Sequence, residues 1–210
     1  MTAPAIAAAA KAEERETATL GMWVFLATEG LFFGVLFFGY IATRLRYPEA
    51  FALASRHTDL TLGTINTGVL LTSSLAMALA VRSVALRAVR VGAWLLIATV
   101  ALGVTFLVLK SVEYVHDYRE QLVPWLNFTF SHAERAGAQL FFYLYFVMTG
   151  AHEVHLIVGI GLVTVMLTRI WRRRIEAASV APLEVTALYW HLVDIIWIFL
   201  YPLLYLVSRT

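Results

Sequence analysis

Glu29 stands in FLATEGLFFGVLFFGY, residues 25–40, where its neighbours are aromatic, aliphatic or small. A charged side chain in hydrocarbon costs about 3 kcal/mol or more. A carboxyl there is therefore either a proton-handling group or a paired group that packs two helices. Phe25, Phe32 and Phe33 lie one turn away, and the basic residues further along the segment, Arg44 and Arg46, are roughly 20 Å distant along a helix axis. A neutral carboxyl is expected unless a cation lies opposite. A second candidate is HEVH, residues 152–155. His152 and His155 are three positions apart and share a helix face with Met148 and Gly159, while Glu153 points about 100° away. His191 and Asp194 repeat the three-residue spacing and are expected to act together, and Asn66, Thr67, Ser73 and Ser74 form a further polar stripe.

These spacings bound the chemistry. HEVH is one residue short of the H-E-x-x-H zinc signature, whose i, i+4 histidines suit a metal better than i, i+3. Haem ligation requires histidines that face one another, which spacing alone leaves open. The structural alternative is that the histidines hydrogen-bond neighbouring helices and fix their packing. No serine stands in a context that suggests a protease triad. Cysteine is absent, which excludes disulfides, thiolate metal sites and cysteine nucleophiles.

The elements that position these residues follow from composition. Of 210 residues, 60% are hydrophobic and 14% charged, and the mean hydropathy is +0.76. That is the composition of a membrane protein, since soluble domains are about 45–50% apolar. Five continuous apolar runs, 21–41, 60–81, 91–109, 138–168 and 185–208, are long enough to cross a bilayer as helices, and the fourth is overlong. Barrel strands would alternate apolar and polar residues instead. The expected fold is an all-α bundle of five transmembrane helices at 21–210, preceded by a tail at 1–20 that is partly disordered or a surface helix. The third span is expected to lack a polar stripe, with Glu113 opening the long connection that follows it. In that connection Trp125, Phe128 and Phe130 are expected at the membrane interface, with Ser131 as a helix cap.

Arg82, Arg87, Arg90, Arg169, Arg172, Arg173 and Arg174 fall on the side of the N-terminal tail with its Lys11 and Arg15. Arg44, Arg46, Arg56, Lys110, Arg119, Arg135 and Arg209 fall on the other. The positive-inside rule then predicts a cytoplasmic N-terminus and an external C-terminus. The net charge of +2 comes from scattered loop residues, which match anionic headgroups rather than nucleic acid.

FLATEGLFFGVLFFGY, TINTGVLLTSSLAMALA, ALGVTFLVLKSVEY, FFYLYFVMTGAHEVHLIVGIGL and YWHLVDIIWIFLYPLLYL occur in the order and rough spacing of subunit III of haem-copper respiratory oxidases. The likeness spans 21–206, and T-G-x-H-x-x-H-x-x-x-G followed by Y-W-H-x-V-D-x-x-W makes it specific. The chain resembles the cytochrome c oxidase subunit III family in its short, five-helix bacterial form. The resemblance implies that Glu29 is the family's membrane-buried glutamate and that Asn66, Glu113, His152, His155, His191 and Asp194 are its structural polar groups. Glu153 departs from the pattern, standing where a small residue is usual.

The resemblance further implies a subunit of the bacterial plasma membrane without redox centres, haem and copper being held by partner subunits. It would pack chiefly against subunit I, with subunit II, other oxidase subunits and bound phospholipid as further partners, and support proton uptake and stable turnover. Longer members have seven helices and hold lipid in a cleft between the first two and the other five; the first two are missing here. Cytochrome c is the expected donor to the complex. The alternatives are a quinol oxidase subunit III, a nitric-oxide-reductase-associated accessory subunit, and a small proton-coupled transporter using Glu29. A transporter would often show internal repeats and broken helices, and neither is clear here.

Overall fold

The structure, a computed structural model, describes residues 3–130, 135–172 and 180–206. Ser131, expected as a helix cap, and Arg173, Arg174 and Arg209, expected to set the orientation, lie outside the described residues. Seven elements follow in order: α1 (Ala3–Arg46), α2 (Pro48–Ser55), α3 (Leu60–Ala85), α4 (Val89–Arg119), α5 (Arg135–Trp171), α6 (Ala181–Tyr201) and a π-helical turn (Pro202–Leu206). No strand occurs among the described residues, and five helices are long and apolar enough to span a membrane. The all-α bundle is as expected.

Three departures matter. The tail is helical, one of the two forms expected for it, but no break separates it from the first span, because α1 runs from Ala3 to Arg46. The short helix α2 has no counterpart in the sequence reading; Pro48 starts it and its Ala50, Phe51 and Ala54 are buried. Third, α4 continues to Arg119, ten residues past the expected end of the third span, so Glu113 is helical and buried rather than in a loop. Lys110, Glu113 and Asp117, at i, i+3 and i+7, line a face turned into the bundle.

The core is made by α3, α4, α5 and α6, with α1 laid against α5 and α6. The helix α3 runs antiparallel to α6: Thr64 pairs with Tyr201 at 2.7 Å, Thr67 with Trp197 at 3.0 Å and Ser74 with His191 at 2.8 Å. Trp190 of α6 is seated between two glycines. A Cβ at Gly103 of α4 would stand 2.9 Å from its ring, and one at Gly159 of α5 would stand 3.1 Å away. Close approach of three helices therefore depends on both glycines. In the connection after α4, Trp125 stays exposed against Tyr143, whereas Phe128 is buried and stacks on Phe130.

The ends of α3 and α4 are built alike. After α3, Arg87 N–H bonds the carbonyl of Val84 and Ala88 N–H that of Ser83. After α4, Gln121 N–H bonds Tyr118 and Leu122 N–H bonds Asp117. Both are Schellman ends, which place Arg87 at φ 64° and Gln121 at φ 59°, a left-handed conformation that glycine adopts more easily. At the start of α3 the Asp59 carboxylate accepts the N–H groups of Thr61 (2.9 Å) and Leu62 (3.1 Å). Two substitutions should therefore have opposite signs in thermal denaturation of the purified complex. Asp59→Ala loses the cap and destabilises by about 1 kcal/mol. Gln121→Gly relieves the left-handed residue and stabilises by up to about 1 kcal/mol.

Candidate functional site

Two connected polar sites stand out inside the membrane-spanning helices, and of the first of them the sequence singled out Glu113 alone. The centre of this first site is Lys110, fully buried on α4. The ammonium donates to Glu113 Oε2 at 3.0 Å, to Tyr145 Oη at 2.7 Å and to Tyr205 Oη at 2.7 Å. Both tyrosine hydroxyls in turn donate to Glu113 Oε1, at 2.8 Å from Tyr145 and 2.6 Å from Tyr205. All three ammonium protons and both carboxylate oxygens are thus satisfied. The sequence reading placed Lys110 among the external basic residues and left the third span without polar groups; both are corrected here. The signal available was the i, i+3 spacing of a lysine and a glutamate between apolar residues.

Local structure explains why this network closes. Pro202 has no N–H for the carbonyl one turn back, and the chain widens there into the π-turn. The turn swings Tyr205 inward against Gly63 of α3, where a Cβ would stand 2.9 Å from the ring. Tyr40 of α1 donates to the Leu203 carbonyl at 2.8 Å and holds the turn from the other side. Asp117, buried one turn beyond Glu113, keeps an unpartnered oxygen.

The second site joins α1 to α5. Glu29 Oε2 lies 2.9 Å from His155 Nε2, and His155 Nδ1 lies 2.7 Å from the carbonyl of Ala151. The carbonyl only accepts, so Nδ1 carries a proton. Nε2 and Oε2 must then share a second one, because a bare nitrogen lone pair facing a carboxylate at 2.9 Å would repel it. The pair is either an imidazolium with a carboxylate or a neutral imidazole with a carboxylic acid, and one proton sits between them in both. The partner that the sequence could not locate for Glu29 lies 126 positions along the chain. Rings surround the pair: Phe33 at 5.3 Å and Phe32 at 6.4 Å from the His155 ring. Tyr189 donates to the His155 backbone carbonyl at 3.0 Å and stacks on Phe25. The side chains remain 19% (His155) and 18% (Glu29) exposed, at the periphery of the bundle.

The remaining polar residues do not form one cluster. His152 does not share its surroundings with His155: it points into the core between Phe106 (5.5 Å) and Trp197 (5.2 Å), and neither ring nitrogen has a hydrogen-bond partner among the described residues. Asn66 is likewise buried with its amide unpartnered. His191 Nδ1 pairs with Ser74 Oγ, and Asp194 faces the same hydroxyl without reaching hydrogen-bond geometry. No hydrogen bond joins His191 to Asp194, directly or through Ser74. Glu153 stands beside Tyr114, whose hydroxyl donates to Thr149 Oγ1 at 2.7 Å, with Oε1 of Glu153 unpartnered. No three of the described histidine, aspartate and glutamate side chains converge as metal ligands do.

Comparison with known proteins matches the chain over residues 7–209 to the family described as cytochrome c oxidase subunit III. It is 32% identical over 204 residues to cytochrome c oxidase subunit 3 of Thermostichus vulcanus, covering 94% of this chain and 90% of the relative. It is 25% identical over 200 residues to the probable quinol oxidase subunit 3 of Staphylococcus haemolyticus, covering 95% and 94% respectively. The protein of the same name from Staphylococcus aureus strain USA300 matches to the same extent.

The buried network supplies its own test. Lys110→Met should leave Glu113 without its cation and cost about 3–5 kcal/mol, whereas the double variant Lys110→Met with Glu113→Gln should cost less than the single one. Thermal stability and yield of the assembled complex measure both. A double variant whose loss equals the sum of the single losses would show that the two residues do not act as a pair.

Proposed function

We propose that this chain, which belongs to the cytochrome c oxidase subunit III family, serves its haem-copper oxidase complex through the single proton shared by Glu29 and His155. The contact between Glu29 Oε2 and His155 Nε2 carries this reading. It is a proton site at the edge of the bundle, within reach of a neighbouring subunit, on a helix that leaves Leu31, Val35 and Phe38 uncovered. Subunit I is the neighbour that this face fits, and subunit II and the remaining subunits complete the complex. The pair accepts and returns a proton beside the uptake path of subunit I, and the helix packing steadies that subunit during turnover.

The redox chemistry belongs to the partners. In this reading the chain holds neither haem nor copper: His155 is committed to Glu29, His191 to Ser74, and His152 to an aromatic enclosure. Bound phospholipid is the only non-protein component assigned to it. The N-terminus lies in the cytoplasm of a bacterial plasma membrane. Cytochrome c is the donor to the whole complex, a choice supported by the greater identity to the relative named cytochrome c oxidase subunit 3. A quinol donor is the second reading, favoured by the two relatives named probable quinol oxidase subunit 3.

Glu29→Gln keeps the shape of the side chain and can donate to His155, but removes the shared proton. The purified oxidase complex carrying it should assemble with unchanged haem and copper content and a near-normal initial rate of oxygen reduction. Sustained turnover should fall, with inactivation several-fold faster than in the parent. Oxygen reduction abolished from the first turnover would assign the residue an obligatory role and overturn this reading; inactivation at the parental rate would remove the role altogether. His152→Ala should also retain the parental haem and copper stoichiometry, measured by optical spectrum and metal analysis of the complex.

A further inference from the structure

A groove of about 480 Å³ lies between the first turns of α4 and the last turn of α5, away from α1, which contributes nothing to its lining. Arg90, Ala93, Trp94 and Ile97 line one wall, and Ile170 and Trp171 the other. Among the described residues no acidic side chain lines it. Arg90, Trp94 and Ile97 are separated by four and three positions and so follow one face of α4, with Trp94 about 6 Å and Ile97 about 10 Å deeper along the axis than Arg90. From the end of the helix inward the groove runs from a cation, through an aromatic pair, to aliphatic side chains. Trp94 and Trp171 are both largely exposed, at 72% and 70%. The Arg90 guanidinium has no ion pair among the described residues, and Arg87 and Arg172 follow the ends of α3 and α5.

We infer that this groove is a binding site for one anionic phospholipid, with the phosphate on Arg90, the glycerol region between Trp94 and Trp171, and an acyl chain along Ala93, Ile97 and Ile170. The order of polarity carries the assignment, because it follows the bilayer's own gradient from phosphate to hydrocarbon. Arg90, with no carboxylate beside it among the described residues, selects an anionic headgroup over a zwitterionic one. The site rests on the assignment of bound phospholipid to this chain and gives it a place; it is separate from the Glu29–His155 pair on α1 and α5, whose role its failure would leave untouched.

The purified oxidase complex, incorporated into phosphatidylcholine vesicles with a trace of photoactivatable phosphatidylglycerol, tests the assignment. Irradiation should label residues 93–97 and 170–171, located by peptide mass spectrometry. Unlabelled phosphatidylglycerol should compete, and added phosphatidylcholine should not. Arg90→Gln should lower the labelling about fivefold, and Arg90→Lys should retain most of it. Equal competition by the two lipids, unchanged labelling in Arg90→Gln, or no labelling of the groove because a protein subunit covers it would each overturn the site. If Arg90→Gln fails to assemble, competition on the parent complex decides.

Discussion

A lysine ammonium inside a membrane protein must find its acceptors within the protein, and that requirement at Lys110 organises the bundle. Without partners the charge would cost about 3 kcal/mol or more. Glu113 neutralises it from one turn away, but a carboxylate alone leaves two ammonium protons and further lone pairs unsatisfied. Tyr145 from α5 and Tyr205 from the π-turn complete the set. Three separate elements are therefore committed to one point. Other features follow from it: the break at Pro202 that turns Tyr205 inward, the absence of a side chain at Gly63, and the grip of Tyr40 on the turn. Far from the network along the same helices, Trp190 fills the gap left by Gly103 and Gly159, so the bundle is closed by hydrogen bonds at one level and by close packing at another.

The Glu29–His155 pair is built on the opposite plan. Lys110 and Glu113 are enclosed and every donor and acceptor is used, which suits a fixed charge pair. Glu29 and His155 are two groups with one proton between them, at the boundary of α1 and α5 and partly open to whatever lies outside. A site that exchanges protons needs such an opening, and a site that only holds helices together does not. The enclosed network joins α4, α5 and the π-turn inside the bundle, whereas the peripheral pair lies on the helix that leaves Leu31, Val35 and Phe38 uncovered.

Much of the fold was legible because hydrocarbon imposes a length. Five apolar runs became five spanning helices, and only the ends shifted. The short helix α2 was hidden because eight residues of mixed polarity carry no spanning signal. The extension of α4 was hidden for a more instructive reason. Lys110, Glu113 and Asp117 read as the polar end of a span, and sequence cannot show that two tyrosines 35 and 95 positions away will satisfy the lysine. The same limit applied to Glu29. Its burial among phenylalanines could be read from neighbours one turn away, but its partner stands on another helix. His152 and His155, equally spaced for one face, diverge because a three-residue step turns the second by about 60° relative to the first, enough to move it from the core to α1. Residue type and depth were readable; pairing across helices was not.

The account rests on one proton shared by two groups, and spectroscopy can count it. Infrared difference spectra of the complex, comparing the parent with Glu29→Gln and with histidine carrying ¹⁵N, report whether the carboxyl and the imidazole are each protonated. The account predicts opposite states: a carboxylic acid with a neutral imidazole, or a carboxylate with an imidazolium, with Nδ1 protonated in either case. A carboxylate facing a neutral imidazole, or a carboxylic acid beside an imidazolium, would contradict it.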